Sequence, residues 1–204
     1  MSKSISTRRK FLKGAGIAGG AAVAGTLATP HIAQAKTKVL KVQAAWGGGI
    51  FLENAKSYVD RVHAMAGKDL RIDLLSVNSV VKTSQMQDAV HRGVLDGAHY
   101  VPAYWYSKSK AASLLGWSAQ ELLGWIHYGG GMELFNELMS GLGLNLVSFF
   151  NSPMPAQPLG WFKMHVTDSS QIKGLKYRTV GLAANVLQEM GMSVVQLPGG
   201  EIQP

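Results

Sequence analysis

Apolar residues run through Lys38-Val39-Leu40-Lys41-Val42-Gln43-Ala44-Ala45-Trp46 with only partial alternation, the pattern of a strand covered on both faces. Gly47, Gly48 and Gly49 break it. Beyond them Phe51, Ala55, Tyr58, Val59, Val62, Met65 and Ala66 recur at steps of three and four. That spacing predicts a helix with these side chains on its inner face and Gly67 as its C-cap. Leu70 to Val77 reads as a second strand. Ser84 to Gly93 reads as a second helix turning Met86, Ala89 and Val90 inward, and Asp96 to Val101 as a third strand. Strand, helix, strand, helix, strand predicts a parallel sheet joined by right-handed crossovers, an α/β class.

The pattern loosens over residues 103–130, where Tyr104-Trp105-Tyr106, Leu114 to Trp117 and Leu122 to Trp125 read as short helices or turns over a core. Met132 to Leu142 is helical again, with Leu134, Phe135, Leu138 and Met139 on one face. Strands are predicted at Leu144 to Phe150, Leu159 to Met164, Leu175 to Val180 and Ser193 to Leu197, with a helix at Leu182 to Met190 before the last. A second strand–helix–strand unit thus begins near residue 145. Two α/β lobes are expected, 36–150 and 151–204. In such sheets ligands bind beyond the carboxyl ends of the strands.

The first 35 residues follow different rules. GAGIAG, residues 14–19, matches the dinucleotide-binding pattern G-x-G-x-x-G, but that loop needs a buried strand ahead of its first glycine. Here the preceding residues are Thr7-Arg8-Arg9-Lys10-Phe11-Leu12-Lys13, which are basic and not strand-like. Small and apolar residues follow to Ala28, too few and too glycine-rich for a membrane span, and Ala33-Gln34-Ala35 ends the segment as a small-x-small cleavage site. Residues 1–35 therefore read as an export signal cleaved after Ala35. The paired arginines with x-Phe-Leu-Lys resemble the twin-arginine (Tat) motif, which implies the Tat export machinery as partner and the periplasm as destination.

Taking 35 residues from 204 leaves 169, and because the signal holds five basic and no acidic residues the net charge falls from +8 to +3. The basic balance belongs to the signal. The remainder has no Lys/Arg run and no basic patch interleaved with aromatics, which argues against nucleic acid. There is no cysteine, which removes disulfides, thiolate zinc sites and iron–sulfur clusters together. The six histidines show no metal-ligand spacing, and no G-x-S-x-G elbow supports serine catalysis. The ending Leu197-Pro198-Gly199-Gly200-Glu201-Ile202-Gln203-Pro204 reads either as a natural C-terminus or, the reading favoured here, as a turn leading into a further element, so the chain is expected to be truncated.

Two features bear on chemistry. Gly47 to Gly49 stands where a strand hands over to a helix, and serves either as a tight turn or as a row of amides facing an anion. Arg178 sits within Leu175-Lys176-Tyr177-Arg178-Thr179-Val180-Gly181, inside an apolar strand just before a glycine and a helix. Buried alone, a guanidinium is costly. At a strand's carboxyl end its planar fork suits a carboxylate. An internal salt bridge and an outward-facing strand charge are the alternatives.

IKGLKYRTVG (172–181) followed by LPGGEI (197–202) closely resembles the DctP-type solute-binding subunits of tripartite ATP-independent periplasmic (TRAP) transporters. DAVHRGVLDGAHY (88–100) resembles the same family's helix-to-strand element, and AQPLGWF (156–162) its hinge-crossing strand. The resemblance covers essentially all of the chain after the signal, and is nearest the subgroup for 2-oxo acids, mannitol-type or chloroaromatic carboxylate uptake. It implies a periplasmic-binding-protein-like, two-lobed receptor with mixed, mostly parallel sheets, of which about the first half to two-thirds is expected in this chain. Such a receptor is not an enzyme: it closes on a small organic acid and passes it to membrane permease subunits. Arg178 matches the family arginine that grips the carboxylate. Gln157 matches the amide that contacts ligand and often a bound cation, sodium or calcium, whose other ligands, including a Trp-Glu pair, lie downstream of LPGGEI. Trp46 and Tyr100 fall at strand ends facing the expected cleft. Two other classes stay open on sequence grounds: an exported cofactor-dependent oxidoreductase, suggested by the twin arginines, and a ligand-sensing module of a signalling system.

Overall fold

The computed structural model describes residues 36–113, 119–154 and 158–202. The signal segment 1–35 lies outside them. All of the described residues but Lys36 belong to one compact unit, Thr37–Pro204.

β1 (Lys38–Ala44) lies between β2 (Leu70–Leu75) and β3 (Gly97–His99), and both ladders are parallel, with Lys38 opposite Leu70 and Val42 opposite Gly97. The centre strand carries the apolar run because both its faces are covered. Its last residue Ala44 and the following Ala45 are fully buried. α1 (Gly49–Ala66) connects β1 to β2, and α2 (Met86–His91) connects β2 to β3. Gly67 caps α1 with its amide on the His63 carbonyl, as the sequence predicts. The inner stripe of α1 is narrower than the spacing suggests. Ala55 and Val59 are buried, whereas Tyr58 is 49% and Met65 80% exposed, because a three-stranded sheet covers only a limited arc of the helix.

Short 3₁₀ turns at Pro102–Trp105 and Lys110–Ser113 lead to α3 (Ala119–Tyr128) and α4 (Gly131–Gly141). Trp105, Ala112, Phe135 and Met139 form a core cluster here, with Leu144 and Leu146 against it. Full burial of a side chain such as Phe135 or Met139 contributes about 1.5–3 kcal/mol. Leu134, expected on the inner face of α4, is 55% exposed.

A second pair of parallel strands, β4 (Lys176–Thr179) and β5 (Ser193–Gln196), is joined by α5 (Leu182–Glu189), as predicted. Ile172, Leu187 and Met192 fill the space between them, flanked by Phe162, Leu175, Tyr177 and Val194. All ladders among the described residues are parallel.

Two expected strands are not strands. Residues 144–150 alternate between half-buried and exposed but join no ladder. Their backbone partners are side chains instead. Asn136 of α4 accepts the Ser148 amide at 2.7 Å and donates to the Ser148 carbonyl at 3.2 Å, and His91 accepts the Asn145 amide at 2.9 Å. A side-chain amide satisfies the backbone as a neighbouring strand would. Residues 159–164 are likewise irregular. They lie against Tyr177, whose hydroxyl donates to the Leu159 carbonyl and whose ring stacks on Phe162 at 6.0 Å. A Cβ on Gly160 would come within 2.8 Å of that ring, so the glycine permits the approach.

Candidate functional site

β1 and β3 end side by side, and their carboxyl ends carry Trp46 and His99. The Trp46 indole N–H donates to His99 Nδ1 at 2.8 Å, and the Ala45 amide to the His99 carbonyl at 2.9 Å. The indole ring lies 4.7 Å from Phe51 at the start of α1 and 6.0 Å from Tyr104 in the first 3₁₀ turn. Trp46 is thus fixed on three sides and remains half-buried. Burial depresses the basicity of His99 below its ordinary 6.5, while the Asn151 side chain and the residue's own backbone act the opposite way.

The wall beside β1 is built by Gln43, which has no exposed surface. Its amide donates to the Val81 carbonyl at 2.8 Å and its carbonyl accepts the Val80 and Val81 amides at 3.0 and 3.1 Å. A buried amide that uses both its nitrogen and its carbonyl oxygen on one loop fixes that loop as a short ladder would. Asn78, the one non-glycine residue with positive φ among the described residues, accepts from the Thr83 amide and hydroxyl within the same loop.

Tyr100 follows His99. Burial pushes its phenol well above the ordinary value, with the Gln87 side chain acting the other way, so the hydroxyl stays protonated and available as a donor. Gln87 itself is 2% exposed and donates to Met139 Sδ at 3.6 Å.

Arg178 is the third residue of β4, opposite Val195. Its Nε donates to the Leu197 carbonyl at 2.7 Å, and Nη2 donates to the same oxygen. A guanidinium has five N–H groups. The Leu197 carbonyl takes the Nε–Nη2 edge and leaves the Nη1–Nη2 edge, one of the two N–H pairs with which a guanidinium can grip a carboxylate bidentately. Among the described residues the ion pairs are Arg71–Asp73 and Lys108–Asp88, so Arg178 meets no acidic side chain there. It is half-buried, neither free in solvent nor sealed in a core.

The two groups of strand ends are linked. The Tyr104 hydroxyl, whose ring faces Trp46, accepts the amide of Gly199 at 3.1 Å, two residues beyond the Leu197 carbonyl that holds Arg178. The Tyr106 hydroxyl donates to Asn185 Oδ1 of α5. Gly181 has φ of 70°, and a Cβ there would lie 2.6 Å from Ser113 Oγ. The 102–113 segment therefore bridges the ends of β1 and β3 to the ends of β4 and β5.

Of the residues singled out by sequence, Trp46 and Arg178 stand at this bridged edge, Tyr100 stands at the end of β3 with its phenol beside Gln87, and Gln157 lies outside the described residues. His99, Tyr104, Leu197 and Gly199 were not singled out. Tyr104 had a weak signal in the aromatic triplet 104–106. Among the described residues no grouping of three or more His, Asp or Glu could hold a metal ion. Gly47 to Gly49 hands β1 to α1 with an extended Gly48.

The model of bacterial extracellular solute-binding proteins, family 7 (DctP), matches residues 49–204. The monocarboxylate 2-oxoacid-binding periplasmic protein of Nostoc sp. (strain PCC 7120) is 31% identical over 159 residues, which cover 76% of this chain and 43% of that one. A TRAP periplasmic solute-binding protein from Colwellia psychrerythraea, solved with calcium and pyruvate, is 30% identical with a TM-score of 0.69, covering 82% of this chain and 52% of its own. Another from Pseudoalteromonas atlantica, solved with sodium and pyruvate, is 27% identical with a TM-score of 0.68 over the same shares. The chain spans about half the length of these relatives.

Proposed function

Because the chain belongs to the family of bacterial extracellular solute-binding proteins, family 7, we propose that it is a periplasmic receptor portion that captures a small organic acid for TRAP membrane permease subunits. A 2-oxo acid such as pyruvate is the ligand class we favour. The relatives above bear names or bound molecules of that class, and they are solute-binding proteins, not enzymes. The observation that carries the reading is Arg178: half-buried at a strand's carboxyl end, held by a backbone carbonyl on one edge of its guanidinium, and meeting no acid among the described residues.

In this scheme the acid's carboxylate lies against the Nη1–Nη2 edge of Arg178. Trp46 forms an aromatic wall, Tyr100 keeps a protonated hydroxyl nearby, and Gln157 orients the ligand. The bridge through Tyr104 brings the two sets of strand ends toward one crevice, where exclusion of water strengthens the charge pair. Sodium or calcium accompanies pyruvate in the two solved relatives. For this chain a cation contact at Gln157 is part of the proposal. Residues 1–35 as a Tat signal, with lobes at 36–150 and 151–204, complete the reading.

The test is calorimetric titration of pyruvate into the whole chain and into Arg178→Ala. Removing one side of a desolvated charge pair costs about 2–5 kcal/mol, so the variant should bind at least tens-fold more weakly. Equal affinity in the two proteins would remove Arg178 from the site.

A further inference from the structure

The contact between Trp46 and His99 has a chemical direction. An indole nitrogen only donates. The atom facing it at 2.8 Å is His99 Nδ1, which must therefore accept and carry no proton. That leaves the neutral ring with its single proton on Nε2, one tautomer out of two. A second proton would turn Nδ1 into a donor, and two N–H groups cannot face each other at that distance. One of the two rings would have to move.

We propose that His99 is the positioning residue for Trp46: its unprotonated Nδ1 holds the indole against the crevice at the carboxyl ends of β1 and β3, and protonation of the ring releases it. This rests on the organic-acid reading only for what the released indole does to ligand.

The surroundings suit a local switch. The indole is wedged between Phe51 at 4.7 Å, Tyr104 at 6.0 Å and the edge of His99 at 6.3 Å, so it is set by three neighbours of which one can change charge. Tyr100, next in the chain, and Tyr104, across the Trp46 ring, are titratable groups near His99. α1 contributes Phe51 and the 144–152 segment contributes Asn151, neither of which titrates. Among the described residues His99 makes no ion pair, so no fixed charge holds the imidazolium in place once formed. Burial opposes the charged ring, which keeps the acceptor intact at neutral pH. Trp46 also leans on Tyr104, whose hydroxyl holds the Gly199 amide. Release of the indole therefore loosens the bridge toward Arg178.

The experiment needs no ligand for its first arm. The Trp46 indole N–H resonance of the ¹⁵N-labelled whole chain is identified by its loss in Trp46→Phe and followed from pH 8 to pH 5. A bonded indole should shift in one titration step in the wild type. In His99→Asn, whose amide carbonyl oxygen can take the place of Nδ1 as acceptor, the resonance should keep its bonded position across the range. In His99→Phe it should sit at the released position at every pH. The second arm is pyruvate titration at both ends of the range, with about tenfold weaker binding expected at pH 5 in the wild type and a much smaller change in His99→Asn. An indole resonance indifferent to pH in the wild type, or retained in His99→Phe, overturns the proposal. A titrating indole in a chain that binds no pyruvate at any pH supports the positioning role and counts against the organic-acid reading alone.

Discussion

The hydroxyl of Tyr104 accepts the backbone amide of Gly199 at 3.1 Å while its ring faces Trp46 at 6.0 Å. One side chain thus touches both sets of strand ends, using its polar tip on one and its apolar face on the other. Tyr104→Phe keeps the ring and deletes the acceptor. We expect unfolding free energy to fall by about 1 kcal/mol, the net worth of a neutral hydrogen bond, and pyruvate affinity to fall about fivefold, read by urea denaturation and calorimetry. If both values hold, water substitutes for the hydroxyl and the bridge is not what joins the two halves of the crevice.

Arg178→Lys preserves charge and removes shape. The Leu197 carbonyl anchors the Nε–Nη2 edge, and a lysine ammonium cannot grip that oxygen and a carboxylate with two parallel edges at once. Binding should weaken at least tenfold, with thermal stability changed far less than affinity. A lysine variant that binds pyruvate like the wild type would mean that only the point charge matters.

Gly181 occupies positive φ, 70°, with Ser113 Oγ where a Cβ would stand, 2.6 Å away. Gly181→Ala meets two penalties together: strained backbone and a clash between α5 and the 3₁₀ turn. The expected loss is about 1–3 kcal/mol. Pairing the change with Ser113→Gly separates them, since the second substitution relieves only the clash.

What the chain's letters disclose depends on the distance over which a residue's role is set. β1 to β3, α1, and the β4–α5–β5 unit were legible because their burial is local and periodic, and Gly67 announced its cap. Residues 144–150 read as a strand in sequence because they do alternate in burial. The partner that gives them this pattern is Asn136 of α4, which no local pattern reveals. Leu134, Tyr58 and Met65 were assigned inward because a helix's spacing marks a face and does not say how wide an arc its neighbour covers. At the site, Arg178 stood out as a charge in an apolar strand. His99 and Tyr104 did not, since their partners lie 53 and 95 residues away in the chain.

Asn136 supplies the next test. Its amide carbonyl accepts the Ser148 amide at 2.7 Å, and its nitrogen serves the Ser148 and Met132 carbonyls at 3.2 and 3.1 Å. Asn136→Ala strips a half-buried backbone of its partners, for about 1–3 kcal/mol. Hydrogen exchange at the Ser148 amide should accelerate strongly while β1 amides stay protected. Equal acceleration in both would show that 144–150 opens only with the whole domain.

His99 gives stability a pH dependence with a definite sign. Burial lowers its affinity for protons below the ordinary 6.5, so as pH falls the unfolded chain takes up the proton first. The unfolded state then binds more protons than the folded one, and stability decreases as pH decreases. Above about pH 6.5 this histidine's contribution is complete. It declines as pH drops from there to the folded-state value, and becomes flat below it, once both states are protonated. Other carboxylates and histidines also titrate, so the quantity to measure is the difference between wild type and His99→Asn in urea denaturation at half-unit steps from pH 8 to pH 4.5. The difference should be constant at the alkaline end and shift in favour of the asparagine variant through the window just below 6.5. A difference that stays constant across the series, or one that favours the wild type at acid pH, would mean that the imidazole of the folded protein accepts its proton as readily as that of the unfolded chain.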